Sequence, residues 1–140
     1  MSNALAAVVA GVFVVLAAWH FHMAFAGMTG ESGAVPGVEG KPLFVPSKAA
    51  TVAVGVVLLL FAALVAATAG LLATGLPQFL LAWACYALAL GLFARAIGEF
   101  KYVGFFKKVR DSKFARMDTL LYSPLCLLLA AGVAAVAATA

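Results

Sequence analysis

The side chains able to do chemistry in this chain are few, and they gather near the ends of its apolar runs. His20 and His22 stand late in the first run and Arg95 and Glu99 late in the third. Asp118 opens the fourth, with Tyr122 and Ser123 one turn further in. Ionisable groups inside apolar segments are costly, which makes each a candidate for function. Arg95 and Glu99 are four apart, a spacing that puts them on one helix face and lets them pair. That pairing accounts for Arg95 as a structural ion pair or a snorkelling anchor. A sharper reading joins His20, Arg95, Glu99, Asp118 and Tyr122 in a polar cluster that receives a lipid headgroup, an anionic metabolite or a proton.

His20 and His22 are two apart, about 200° around a helix, so they do not readily share one metal ion. A single interior histidine suits a haem axial ligand or a proton carrier. With no second histidine on a facing helix, a satisfied core histidine is the expectation. Cys85 and Cys126 lack the close spacing or added ligands of a redox pair or zinc site and read as apolar core residues. No metal site is expected, and the cofactor, if any, is left undefined. Neither a phosphate-binding glycine loop nor a nucleophile elbow occurs.

The elements that must carry these groups are set by composition. Of 140 residues, 66% are hydrophobic and only 10% charged, and mean hydropathy is +1.16. Soluble domains carry about 25% charged residues. Apolar runs at 4–27, 49–74, 78–98 and 119–139 each approach or exceed the roughly 20 residues a helix needs to cross a bilayer. Helices satisfy their own backbone in lipid, and the short alternating segments of a transmembrane barrel are missing. The reading is all-α: one polytopic membrane domain over 1–140, an antiparallel bundle of four transmembrane helices. The first run resembles a secretory signal around Ala24, Phe25 and Ala26, but it has no basic n-region and is too long, so it is expected to stay as a helix.

Alanine and glycine recur along helices one, two and four, among them Ala7, Gly11, Ala17, Ala18, Ala62, Ala63, Ala66, Ala67 and Gly70. Small residues let helices approach closely in lipid. The connection at 28–48 is rich in Gly and Pro, with no helical period, and Ser47 is placed to cap helix two. A tight turn at Gly75, Leu76 and Pro77 should make helices two and three antiparallel neighbours. Pro124 predicts a kink or loosened turn beside Arg95.

Nearly all the positive charge lies in two connections. Lys41 and Lys48 occupy the first; Lys101, Lys107, Lys108, Arg110, Lys113 and Arg116 occupy the one at 99–118. Cytoplasmic loops hold the excess of Lys and Arg, so loops 28–48 and 99–118 are expected inside and both termini outside. The net charge of +4 is therefore one-sided, and nucleic acid is not an expected partner. In the third connection the basic residues alternate with Phe100, Tyr102, Phe105, Phe106 and Phe114. That pattern suits a segment in the headgroup layer, aromatics dipping inward and all six basic side chains meeting anionic lipid headgroups.

Residues 95–110 (RAIGEFKYVGFFKKVR), 114–119 (FARMDT) and 122–126 (YSPLC) resemble a bacterial family of small membrane proteins, domain of unknown function 3995. His20 with Ala24 and Gly27, Pro36, and residues 40–46 (GKPLFVP) fit the same pattern. In similar sequences an aromatic often follows the helix-one histidine by three positions; here that position is Met23. The resemblance implies a four-helix protein of the bacterial cytoplasmic membrane and supplies no activity.

The favoured expectation is a non-catalytic accessory or lipid- or metabolite-binding bundle, in contact with the bilayer and with another membrane protein or a second copy of itself. The alternatives are a membrane enzyme using His20, Glu99 or Asp118 as acid or base on a lipid-soluble substrate, and a small transporter gated by Arg95 and Glu99.

Overall fold

The computed structural model describes residues 2–26, 35–38, 41–44 and 47–140. Among these residues, four helices are long and apolar enough to cross a membrane. They are α1 (Ser2–Ala26), α2 (Lys48–Thr68), α3 (Gln78–Ile97) and a composite fourth span. The fourth runs unbroken through α4 (Lys113–Met117), a π-helical turn (Asp118–Tyr122) and α5 (Ser123–Ala138). Between α1 and α2, β1 (Gly37–Val38) and β2 (Lys41–Pro42) form a two-residue antiparallel pairing with Gly37 opposite Pro42. The fold is all-α. Of the glycines and prolines expected to shape the first loop, Gly30, Gly33, Gly40 and Pro46 lie outside the described residues.

Local chemistry explains where the helices start and stop. Ser47 caps α2, its Oγ accepting the Ala50 N–H at 3.0 Å. Helix α2 then ends at Thr68 rather than at the expected residue 74. Gly70 takes φ 81, its N–H bonds to Ala67 O, and the Leu71 N–H bonds to Ala66 O. This Schellman closure ends the helix before the apolar run does, so the link to α3 is longer than a three-residue turn. The fourth span begins at Lys113 rather than at 119, because Ser112 Oγ accepts the Ala115 N–H at 2.9 Å.

Helix α1 packs most extensively on α2, and α3 on α5; lighter contacts join α1 to α5 and α2 to α3. The shared core contains Ala6, Val9, Phe13, Ala62, Val65, Cys85, Ala89, Leu129 and Val133. Phe13 meets Phe61 edge-on, ring centroids 5.7 Å apart. Two glycines let other helices approach α1 closely. A Cβ on Gly55 would lie 2.6 Å from the Phe21 ring, and one on Gly132 would lie 2.8 Å from Val9 Cγ2. Outside this small-residue interior the surface stays apolar, with Val15, Leu60, Trp83, Leu90 and Leu128 exposed. In water such a surface would be an aggregation hazard; it is the surface of a membrane protein in contact with lipid.

Thr68, Gln78 and Thr139 border one cleft of about 240 Å³, so the end of α2, the start of α3 and the end of α5 share one end of the molecule. The opposite end gathers the start of α2, the end of α3 and the π turn. Helix α1 finishes there as well, with Lys48 Nζ 4.6 Å from the centroid of the Phe25 ring.

Candidate functional site

The candidate site lies at that second end, where the segment after α3 folds back onto the helix it has just left. Helix α3 stops at Gly98, whose φ of 87 with ψ −175 is a conformation open essentially to glycine alone. Gly104 has φ 91. The two glycines pass against each other's backbone: a Cβ on Gly98 would lie 1.8 Å from Val103 O, and one on Gly104 would lie 2.3 Å from Ile97 O. The Phe105 N–H donates to Ala96 O at 2.8 Å, and the Lys108 and Val109 N–H groups both donate to Lys101 O. Arg110 Nη2 donates to Phe105 O at 2.8 Å. The segment is thus a tightly folded turn, not a trailing loop.

This turn inserts Lys107 beneath itself. The Lys107 side chain is completely buried, and its Nζ donates to Gly104 O at 2.9 Å and to Thr119 Oγ1. It also lies 3.1 Å from Asp118 Oδ2. Asp118, itself fully buried, is the hub. Its Oδ2 accepts the Gly104 N–H at 2.6 Å, and its Oδ1 lies 2.8 Å from Arg95 Nη2, an ionic contact not aligned as a hydrogen bond. One carboxylate therefore joins the last turn of α3, the folded turn and the fourth span. A buried charge is tolerated when paired and hydrogen-bonded, and Asp118 has both kinds of partner.

The π turn helps to position the hub. Within it the Ser123 N–H bonds to Asp118 O, a wider closure than an α-turn. Pro124 follows and has no N–H to offer the carbonyl one turn back. The loosened turn expected from Pro124 is present, and it contains both Asp118 and Tyr122. The Tyr122 ring packs 5.6 Å from that of Phe114 and lies within electrostatic range of Asp118 and Arg95.

Several expected roles are reassigned. Glu99 does not share a helix face with Arg95, because Gly98 has already ended α3. It is exposed, and its carboxylate accepts the Tyr102 N–H. Asp118 is the partner of Arg95 in its place. Lys107, expected to meet headgroups, is sealed inside the cluster because Gly104 turns the chain inward. The remaining basic residues of that segment, Lys101, Lys108, Arg110, Lys113 and Arg116, are exposed, as are Phe100 and Phe106. His20 is at the same end of the molecule, but its hydrogen bond is to its own helix: Nδ1–H donates to Leu16 O at 2.7 Å. His22 is exposed and packs on Trp19, ring centroids 5.8 Å apart. The structure thus brings Arg95, Asp118 and Tyr122 together, adds Lys107, Gly104 and Thr119, and leaves Glu99 outside. The signal for Lys107 was the glycine pair six residues apart, which marks a chain reversal just before it.

No curated protein and no solved structure matches the sequence. A family match takes in most of the apolar runs together with the segment that builds the Asp118 hub. Over residues 13–133 the chain matches a family described as a protein of unknown function, DUF3995, and it belongs to that family.

Proposed function

We propose that this chain is a non-catalytic membrane component that presents a rigid basic and aromatic surface to anionic lipid headgroups. The observation that carries this reading is the enclosure of Asp118 between two cations. Its carboxylate is buried and engaged by Arg95, Lys107 and the Gly104 N–H, so it fixes the turn rather than standing open as an acid or base. What the fixed turn offers outward is Lys101, Lys108, Arg110, Lys113 and Arg116 beside exposed Phe100 and Phe106. Basic side chains near an anionic leaflet contribute about 1 kcal/mol each, and a pre-ordered surface loses less entropy on binding. By the excess of Lys and Arg this surface faces the cytoplasm, with both termini outside and the inner membrane as the bilayer.

The test is reconstitution in nanodiscs of phosphatidylcholine doped with phosphatidylglycerol, followed by quantification of the lipids that surround the protein. Enrichment of phosphatidylglycerol is expected for the natural sequence and should fall with salt. Changing Lys101, Lys108, Arg110, Lys113 and Arg116 together to Gln should remove the salt-sensitive part of the enrichment without unfolding the helices. Equal lipid recruitment by the natural and neutralised proteins would refute the reading.

A further inference from the structure

Among the described residues, the charges of the Asp118 hub do not balance. Arg95 and Lys107 bring two positive charges against one carboxylate. Lys107 Nζ donates to Gly104 O and Thr119 Oγ1 and lies 3.1 Å from Asp118 Oδ2, and its side chain is sealed from the surroundings. Both oxygens of Asp118 are engaged. The uncompensated charge therefore resides on Arg95, the one member of the trio that opens outward, with 33% of its side chain exposed. Its Nη1 has no hydrogen-bond partner among the described residues. The acidic residues nearest in sequence do not make up the deficit: Glu99 is committed to the Tyr102 N–H and Asp111 is exposed.

A guanidinium with half of its fork unused, in a low-dielectric setting with surplus positive charge, is matched by the paired oxygens of a phosphate group. We propose that Arg95 seats one phosphate-type oxyanion, either the diester of a lipid headgroup or free phosphate, beside the π turn. Asp118 holds Nη2 and so orients the fork. Nη1 is covered in this conformation, and the ligand engages it by a small readjustment of the long side chain through its open third. A phosphodiester, with a single negative charge, neutralises the hub. This inference rests on the membrane reading above but not on the exposed lysines, so the two can fail separately.

The experiment is native mass spectrometry of the full chain in mild detergent, at an ionic strength that strips weakly held lipid, with phosphatidylglycerol and inorganic phosphate as probes. The natural protein should retain one equivalent of phosphatidylglycerol or of phosphate. Displacement of the lipid by inorganic phosphate would assign the seat to free phosphate; resistance to displacement would assign it to a headgroup. Arg95→Lys keeps a point charge for Asp118 but loses the planar fork, and its retention should be about tenfold weaker. The variant with all five exposed basic residues changed to Gln should hold its equivalent as tightly as the natural protein. No retention by the natural protein, undiminished retention by Arg95→Lys, or loss of the tight equivalent from the surface variant would each overturn the proposal. The surface variant decides the matter even if Arg95→Lys fails to fold.

Discussion

The two ends of this molecule tie the same helices together with different chemistry. At the cleft end the ties are neutral. Thr68 Oγ1, besides donating to Leu64 O within α2, lies 3.2 Å from Cys85 Sγ of α3, and Gln78 Nε2 of α3 donates to Thr68 O at 2.7 Å. At the other end the tie is a buried carboxylate between two cations. Neutral hydroxyl and amide bonds cost little to desolvate, and each contributes about 0.6 kcal/mol between membrane helices. An ionic hub costs far more to bury and is stable only when complete. The cleft end should therefore tolerate losing one member, whereas the hub should not.

The largest expected effect is at the hub. Asp118→Ala leaves Arg95 and Lys107 facing each other without a counter-charge, and breaking a buried pair in this way costs about 3–5 kcal/mol. Thermal unfolding in detergent should show a large drop or outright failure to accumulate. A shift comparable to that of a surface substitution would mean that the hub is not the tie described here. Next comes the backbone that builds it. Gly104→Ala forces a side chain into a left-handed conformation and against Ile97 O, with an expected loss of about 2 kcal/mol or more; accelerated proteolysis between residues 98 and 112 would register it.

Gly132→Ala should cost about 1–3 kcal/mol, because the new methyl meets Val9 Cγ2 at 2.8 Å. Gly11→Ala has nothing within 4 Å and should instead stabilise α1 by up to about 1 kcal/mol through helix propensity. Paired melts of these two variants separate packing from backbone preference. The smallest effect is expected at the neutral end, where Thr68→Val should lower stability by about 0.6 kcal/mol. A loss there equal to that of Asp118→Ala would erase the contrast between the two ends.

Most of the fold was legible in the sequence because bilayer thickness and backbone hydrogen bonding leave few alternatives for four long apolar runs. Ser47 and Pro124 also read correctly, since capping and the missing proline N–H act locally. The partner of Arg95 was not legible. Spacing favoured Glu99, but the rule for residues four apart holds only within one helix, and Gly98 ends α3 between the two. Lys107 and Lys108 are chemically identical neighbours, and only the backbone path set by Gly98 and Gly104 sends one inward and the other to the surface. Helix α2 ended early for a similar reason. Hydropathy continues past Gly70, while the positive φ of that residue does not permit the helix to.

The π turn has a consequence for how this span can vary. A turn closed over one extra residue advances the phase of everything beyond it by roughly 100° relative to an uninterrupted α-helix. It works as a gear offset between two surfaces on one rod: the Asp118 face is aligned to α3 and the folded turn, while the Gly132 face is aligned to α1. Deleting a single residue between 119 and 122 would leave hydropathy, length and composition almost untouched. It would nonetheless turn one of those faces toward lipid. Single-residue length changes here should be far less tolerated than conservative substitutions, a constraint on spacing rather than on identity.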